Sequence, residues 1–167
     1  GWEAASIRML ATGKVEVVTG SSPHGQGHET AFSQIVADRL GVPLEDVEVL
    51  HGDTAISHKG LDTYGSRPLV VGGEALVKAV DKVIDKARPI AAHLLEAAPE
   101  DLEYVGCRFA VRCTDQGLGI AEIASAVFAA HDLPDGVEPT LDSEATYDPV
   151  NFNFPHGTHL CAMEVDT

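Results

Sequence analysis

A strand, a glycine-bearing loop and a helix follow one another twice in this chain, and this doubled unit constrains the fold more than any other feature. Residues 15–19 are β-branched or apolar at nearly every position, and a glycine-rich loop occupies 20–27. Residues 47–51 form a second apolar run, followed by a second glycine-bearing loop at 52–65. After each loop, apolar residues recur at the three- and four-residue spacing of an amphipathic helix. They are Phe32, Ile35, Val36 and Leu40 before Gly41, and later Leu76, Val77, Val80, Val83 and Ile84.

The remaining segments extend this pattern to an α+β fold. The second helix is long, with Pro68 near its first turn and with Pro89 expected to bend it. A third helix is predicted around residues 120–128. Further strands are predicted at residues 2–10, 102–105, 108–112, 141–147 and 157–165. We therefore predict mixed sheets, about seven strands in all, packed with three helices.

Composition excludes several classes of function. The chain carries 26 Asp and Glu against 11 Lys and Arg, a net charge of −15, which repels nucleic acid and anionic lipid. No apolar run approaches the roughly 18 residues of a membrane span. Cys107, Cys113 and Cys161 are an odd number without a Cys-x-x-Cys pair, which argues against a disulfide framework, a zinc knuckle or an iron–sulfur cluster. A reducing cytoplasm fits this composition best.

The first loop has the features of an anion-binding helix start. Gly25 and Gly27 remove side-chain bulk on both sides of Gln26, where free backbone N–H groups of a helix begin. The loop is not a P-loop, because Gln26 stands where the lysine is required. It is not a dinucleotide fingerprint either, because Thr30 replaces the third glycine. A plain turn between strand and helix stays open as the alternative.

The second loop supplies further donors at another helix start. Thr63, Tyr64 and Ser66 carry hydroxyl groups there, so two donor-rich loops could face one ligand. Ser66 could instead be an ordinary N-cap. Arg67 could bind a phosphate in bidentate fashion or could pair with an acidic side chain.

These two loops resemble those of the molybdenum hydroxylase family, which includes xanthine oxidase and aldehyde oxidase. The resemblance lies in Gly25-Gln-Gly-His-Glu-Thr30, in Gly52-Asp-Thr54 and in Gly60-Leu-Asp-Thr-Tyr-Gly-Ser-Arg67. The last of these segments is most similar to the carbon monoxide dehydrogenase branch of the family. The resemblance extends over nearly the whole chain.

The resemblance implies a role for each loop. Gln26 would be the catalytic residue, hydrogen-bonded to an oxygen ligand of molybdenum, and Gly25, Gly27 and His28 would touch the metal's ligand sphere or the pterin. The dinucleotide part of a molybdopterin cytosine dinucleotide would be held by Thr63, Tyr64, Gly65 and Ser66. The family reaction is hydroxylation with oxygen from water, and electrons pass through iron–sulfur clusters to FAD on other subunits or domains.

The chain also departs from the family pattern. It contains neither the Gly-x-Gly-Glu segment that carries the catalytic glutamate nor the loop with the copper-ligating cysteine. We therefore expect residues 1–167 to be a single fragment of the cofactor-binding domain of a larger subunit, without activity or bound cofactor on its own. Asp62 stands where a small residue is expected and places a negative charge beside the expected phosphate site.

Other interpretations stay open from the sequence. The chain could belong to an aldehyde or purine dehydrogenase of the same superfamily, or be a non-enzymatic phosphate-binding or assembly module. The pairs His24/His28 and His156/His159 could chelate a metal, but neither has a third ligand at helical spacing. No metal-ligating residue is predicted.

Overall fold

The computed structural model describes residues 1–57, 59–152 and 154–166. Within these ranges the α+β class predicted from the sequence is confirmed. The elements are β1 (Glu3–Met9), β2 (Val15–Thr19), α1 (His28–Leu40), β3 (Val47–Leu50), α2 (Gly73–Leu94), β4 (Leu102–Val105), β5 (Arg108–Val111), β6 (Gly117–Gly119), α3 (Ile120–Ala129) and β7 (Ser143–Tyr147). Short 3-10 turns precede β3 and β4, and a π-helical turn, Pro68–Gly72, precedes α2.

The larger sheet is mixed and places β2 beside β3. Its strand order is β3-β2-β1-β7. β1 and β2 form an antiparallel hairpin, with Ile7 opposite Val17. β2 and β3 run parallel, with Val17 opposite Val49. Because parallel neighbours end at the same edge of a sheet, the loops that follow β2 and β3 leave the sheet side by side.

Two helices cover one face of this sheet and form the core with it. Val15, Val17 and Thr19 alternate with partly exposed neighbours, so every second residue of β2 points inward. Facing them are the apolar stripes of α1 and α2, including Phe32, Val36, Leu40, Leu76, Val80 and Val83, each at most 1% exposed. Gly41 ends α1 in the left-handed conformation with φ 68°, as the sequence predicts.

α2 confirms the predicted long helix, although its regular part begins after the π-helical turn that contains Pro68. The helix continues through Pro89 to Leu94, and the bend expected at Pro89 stays a prediction. Charged residues such as Lys78, Asp81 and Lys82 are exposed and lie off its buried apolar stripe. No helix of the described ranges has both the length and the apolar character needed to cross a membrane.

A smaller antiparallel sheet, in the order β4-β5-β6, lies beside α2 and α3. β4 and β5 form an antiparallel hairpin, with Leu102 opposite Val111. Phe109 is fully buried between the two layers, and the Arg88 guanidinium lies 5.5 Å from its ring centre. The strand β6 was not predicted, because three residues that include two glycines carry no alternating pattern.

The strand predicted at residues 157–165 is wrong. Residues 154–166 adopt neither helix nor strand, and Leu160 and Met163 are 97% and 86% exposed. A strand forms only when its backbone groups find a partner, and the described chain provides none at this segment. The strand predicted at 141–147 exists, but it begins at Ser143.

Candidate functional site

The two loops singled out by the sequence border one open cleft with a volume of about 550 Å³. The parallel pairing of β2 with β3 explains this placement, because both loops leave the same sheet edge. The first loop and α1 contribute His24, Gln26, His28 and Ala31, and the second contributes Thr63, Tyr64, Gly65, Ser66, Pro68 and Leu69. The sequence did not predict that the cleft is also lined by His24, Ala31, Pro68 and Leu69. Only their closeness in sequence to the two loops could have indicated it.

Gly25 and Gly27 of the first loop leave open space beside their backbone, although neither is among the residues that line the cleft. Gly25 and Gly27 have φ angles of 95° and 75°, which L-residues adopt at a cost. A Cβ added at either position would meet no other atom within 4 Å, so both glycines border open space. Gly27 is the N-cap of α1 and has no side chain with which to cap the first-turn N–H groups.

Gln26 is exposed, and its side-chain oxygen is hydrogen-bonded within its own loop. The Oε1 atom accepts a hydrogen bond from the backbone N–H of His24. The amide group is thereby oriented, and its Nε2 donor is the end left for a ligand.

His28 is a buried polar side chain at the bottom of the cleft. It is 3% exposed and stacks on Phe32 with ring centres 5.2 Å apart. Its Nδ1 atom has no hydrogen-bond partner in the described part of the chain. Burial lowers the pKa of His28 below its ordinary value of 6.5, because desolvation disfavours the imidazolium form.

The lowered pKa of His28 predicts a pH dependence of stability. The unfolded chain binds a proton at this histidine near pH 6.5, whereas the folded chain binds it only at lower pH. The free energy of unfolding should therefore fall as the pH drops below 6.5, and the fall should be smaller in His28→Phe. Urea midpoints at pH 7.5 and 5.5 measure this, with His131→Phe as the control for an exposed histidine. Equal pH dependence in the three proteins would contradict the prediction.

The second loop is tied to the first by hydrogen bonds. Asp62 accepts bonds from the backbone N–H and the hydroxyl of Ser22 at 2.9 and 2.5 Å. The Thr63 hydroxyl donates in return to the Ser22 carbonyl at 2.5 Å. The Thr63 hydroxyl proton is therefore engaged by the protein, whereas Tyr64 and Ser66 of the same loop are exposed. Nothing in the spacing of Ser22 and Asp62 signals that they meet.

The structure decides between the alternatives that the sequence left open for Ser66 and for Arg67. The residue at the N-cap of the Pro68 turn is Arg67, without a side-chain cap, so the interpretation of Ser66 as an N-cap is wrong. Arg67 pairs with the acidic Glu3 at 3.0 Å, and both side chains are buried. It also donates to the carbonyls of Gly1, Trp2 and Asp62. Both terminal nitrogens of its guanidinium group are thus occupied by protein acceptors, whereas the buried Nε atom has no partner in the described part of the chain.

No three His, Cys, Asp or Glu side chains form a metal-holding group among the residues that the structure describes. His51 instead pairs with Glu29 at 2.9 Å in the first turn of α1.

The family model of the molybdopterin cofactor-binding domain matches residues 1–167, and the chain belongs to this family. The carbon monoxide dehydrogenase large chain of Hydrogenophaga pseudoflava is 40% identical over 99% of this chain and 20% of its own length. The solved CO dehydrogenase from Oligotropha carboxidovorans has a TM-score of 0.84 at 39% identity, over 89% of this chain and 18% of that one. Quinoline 2-oxidoreductase from Pseudomonas putida 86 has a TM-score of 0.79 at 38% identity, over 90% and 19%.

These comparisons confirm the resemblance that the two loops carry. The chain spans about a fifth of the length of the relatives it matches.

Proposed function

We propose that this chain is part of the large, molybdenum-bearing subunit of a carbon monoxide dehydrogenase-like molybdenum hydroxylase. Residues 1–167 would form one side of its cofactor site. The observation that carries the proposal is the single cleft shared by the two loops. The proposed group is long and negatively charged, and each loop presents backbone or side-chain donors to it.

The residues present fit such a group. Gly25 and Gly27 leave open space beside their backbone, and the Nδ1 atom of His28 is buried without a partner. With Gln26, they would hold the molybdenum and pterin end. The second loop would hold the dinucleotide end through Thr63, Tyr64, Gly65 and Ser66, so the cofactor would be molybdopterin cytosine dinucleotide.

Binding of the proposed cofactor would depend on local hydrogen-bond donors, because the net charge of the chain repels an anion. A chain with a net charge of −15 repels a pyrophosphate at long range. Helix-start N–H groups and hydroxyls overcome this repulsion only at short range, which makes the position of each loop critical.

The proposed reaction assigns one task to Gln26. The bound cofactor would supply two-electron oxidation of a small substrate with oxygen from water, and electrons would leave through iron–sulfur and FAD partners. Gln26 would donate a hydrogen bond from Nε2 toward the metal centre, since its Oε1 is held by His24. An amide can donate without competing to ligate the metal. We place the enzyme in the cytoplasm.

A second candidate substrate class is an aromatic N-heterocycle. Quinoline 2-oxidoreductase matches this chain at 38% identity, close to the 39% of the CO dehydrogenase structure. Turnover assays with carbon monoxide and with quinoline, on the same preparation, separate the two candidates.

The cofactor assignment predicts the metal content of the full-length complex. Purified complex should contain one molybdenum and one releasable cytidine nucleotide per large subunit, as measured by elemental analysis and by mass spectrometry after denaturation. The separate 167-residue chain should contain neither, because it would provide only one side of the site. A full-length complex that folds without molybdenum, or a separate chain that retains stoichiometric molybdenum, would contradict the proposal.

A further inference from the structure

Asp62 joins the two sides of the cleft through a ring of hydrogen bonds. Its Oδ1 atom accepts three of them, from the N–H and hydroxyl of Ser22 and from the N–H of Thr63 at 2.7 Å. The hydroxyl of Thr63 closes the ring on the Ser22 carbonyl. Ser22 belongs to the loop that carries Gln26, whereas Thr63 belongs to the second loop and lines the cleft. Two segments 40 residues apart in sequence are thus connected at this point.

The backbone at Asp62 is strained. Its φ angle is 62°, in the left-handed region that a small residue such as glycine occupies most easily. Aspartate tolerates this region better than most side chains, and its short carboxylate can reach neighbouring backbone donors. The three accepted bonds offset the strain.

The charge of Asp62 is stabilised by hydrogen bonds from the two loops. Neither Asp62 nor Ser22 lines the cleft. The bonds from Ser22 and Thr63 lower the pKa of Asp62 to about 2, so the carboxylate is ionised at any physiological pH. The negative charge expected to disturb a phosphate site is therefore compensated by three donors of the loops themselves, and bonds to an ionised acceptor are stronger than neutral ones.

We propose that Asp62 is a positioning residue that holds the Gln26 loop at a fixed distance from the Thr63–Ser66 side and thereby sets how tightly the cleft retains its anionic cofactor. This role rests on the proposed function. The cofactor contacts both loops in that proposal, so a looser connection between them raises the ordering cost of binding.

The test compares Asp62→Gly, Asp62→Asn and Asp53→Asn in the full-length complex. Glycine accepts the φ angle of 62° without strain, so Asp62→Gly removes the carboxylate while the fold is kept. Asparagine keeps an Oδ1 acceptor without charge and serves as the conservative rescue. Asp53 is the matched control, because it lies in the same long loop but its carboxylate accepts, in the described part of the chain, only from the N–H of Ala55, two residues away.

Two measurements are made on each protein. Hydrogen–deuterium exchange of peptides covering 20–27 and 60–66 reports whether the loops are still connected. Molybdenum retained per subunit during dialysis, measured by elemental analysis, reports cofactor retention. We expect Asp62→Gly to exchange faster in both loops and to lose molybdenum about tenfold faster, the effect of losing one hydrogen bond to a charged group. Asp62→Asn should be intermediate, and Asp53→Asn should match the unmodified protein in both measurements.

Each contrary outcome has a distinct meaning. Unchanged exchange of residues 20–27 in Asp62→Gly would overturn the positioning role, whatever the metal content. Faster exchange with unchanged molybdenum retention would overturn the link to the cofactor. An unmodified complex without molybdenum would refute the proposed function, and the exchange data alone would then decide whether Asp62 positions the loops.

Discussion

Replacing Gln26 by alanine should lower the turnover of the molybdenum-loaded enzyme by about 10²–10³-fold, the usual cost of removing one donor aimed at a developing charge. Folding should be almost unaffected, because Gln26 is exposed and contributes no core burial. The measurements are kcat per molybdenum and the thermal midpoint. The prediction follows from the proposed function and from the amide orientation, in which Oε1 is bound to His24 and Nε2 is the available donor.

Two variants make this prediction specific to the side-chain amide of Gln26. Gln26→Glu keeps the shape but removes the N–H donor, so it should be as slow as the alanine variant. Gln34→Ala changes an exposed glutamine of α1 that does not line the cleft, and its turnover should be unchanged. Unchanged turnover in a fully metallated Gln26→Ala enzyme would refute the assignment of Gln26.

The sequence predicted the two loops and their shared cleft because the relevant signals are local. Apolar runs at residues 15–19 and 47–51 mark β2 and β3, and glycines mark the loops that follow. Two strands joined through a helix pair in parallel in most folds, which brings both loops to one sheet edge. The topology therefore follows from patterns that are each less than twenty residues long.

The partners of Arg67 and Asp62 could not be predicted because they depend on contacts between distant segments. Spacing alone left Arg67 free to bind a phosphate or an acid, and only the fold brings Glu3 to it across 64 residues. The expectation that Asp62 would place its charge beside the phosphate site overlooked its bonds to Ser22. The incorrect strand at 157–165 has the same origin, since an apolar pattern indicates a strand without identifying the segment that pairs with it.

The buried pair of Glu3 and Arg67 should have the largest effect on stability. Glu3 is fully buried, and its carboxylate accepts bonds from the Arg67 guanidinium at 3.0 Å, from the Ser21 hydroxyl at 3.0 Å and from the Ala4 N–H at 3.1 Å. Glycines surround it closely, since a Cβ added at Gly20 or Gly60 would collide with Oε1. This carboxylate is therefore enclosed, and Arg67 supplies its positive partner.

Arg67→Met should therefore lower the free energy of unfolding by about 3–5 kcal/mol, the usual cost of leaving one buried charge unpaired. Urea unfolding of the 167-residue chain, followed by circular dichroism, measures the change. Arg39→Met is the matched control, because it breaks an exposed 2.8 Å pair with Asp81 that is worth less than about 1 kcal/mol.

The double variant Glu3→Gln/Arg67→Met distinguishes an unpaired charge from lost packing. If the cost of Arg67→Met arises from the carboxylate of Glu3, neutralising that carboxylate should restore part of the lost stability. If the cost arises from the volume and hydrogen bonds of Arg67 alone, the double variant should be at least as unstable as the single one. A loss of stability in Arg67→Met no greater than that in Arg39→Met would contradict the buried pair itself.

The same pair connects the stability of the fold to the geometry of the site. Arg67 also donates to the Asp62 carbonyl at 2.7 Å, and Glu3 accepts from Ser21. Arg67→Met should therefore also loosen both loops of the cleft.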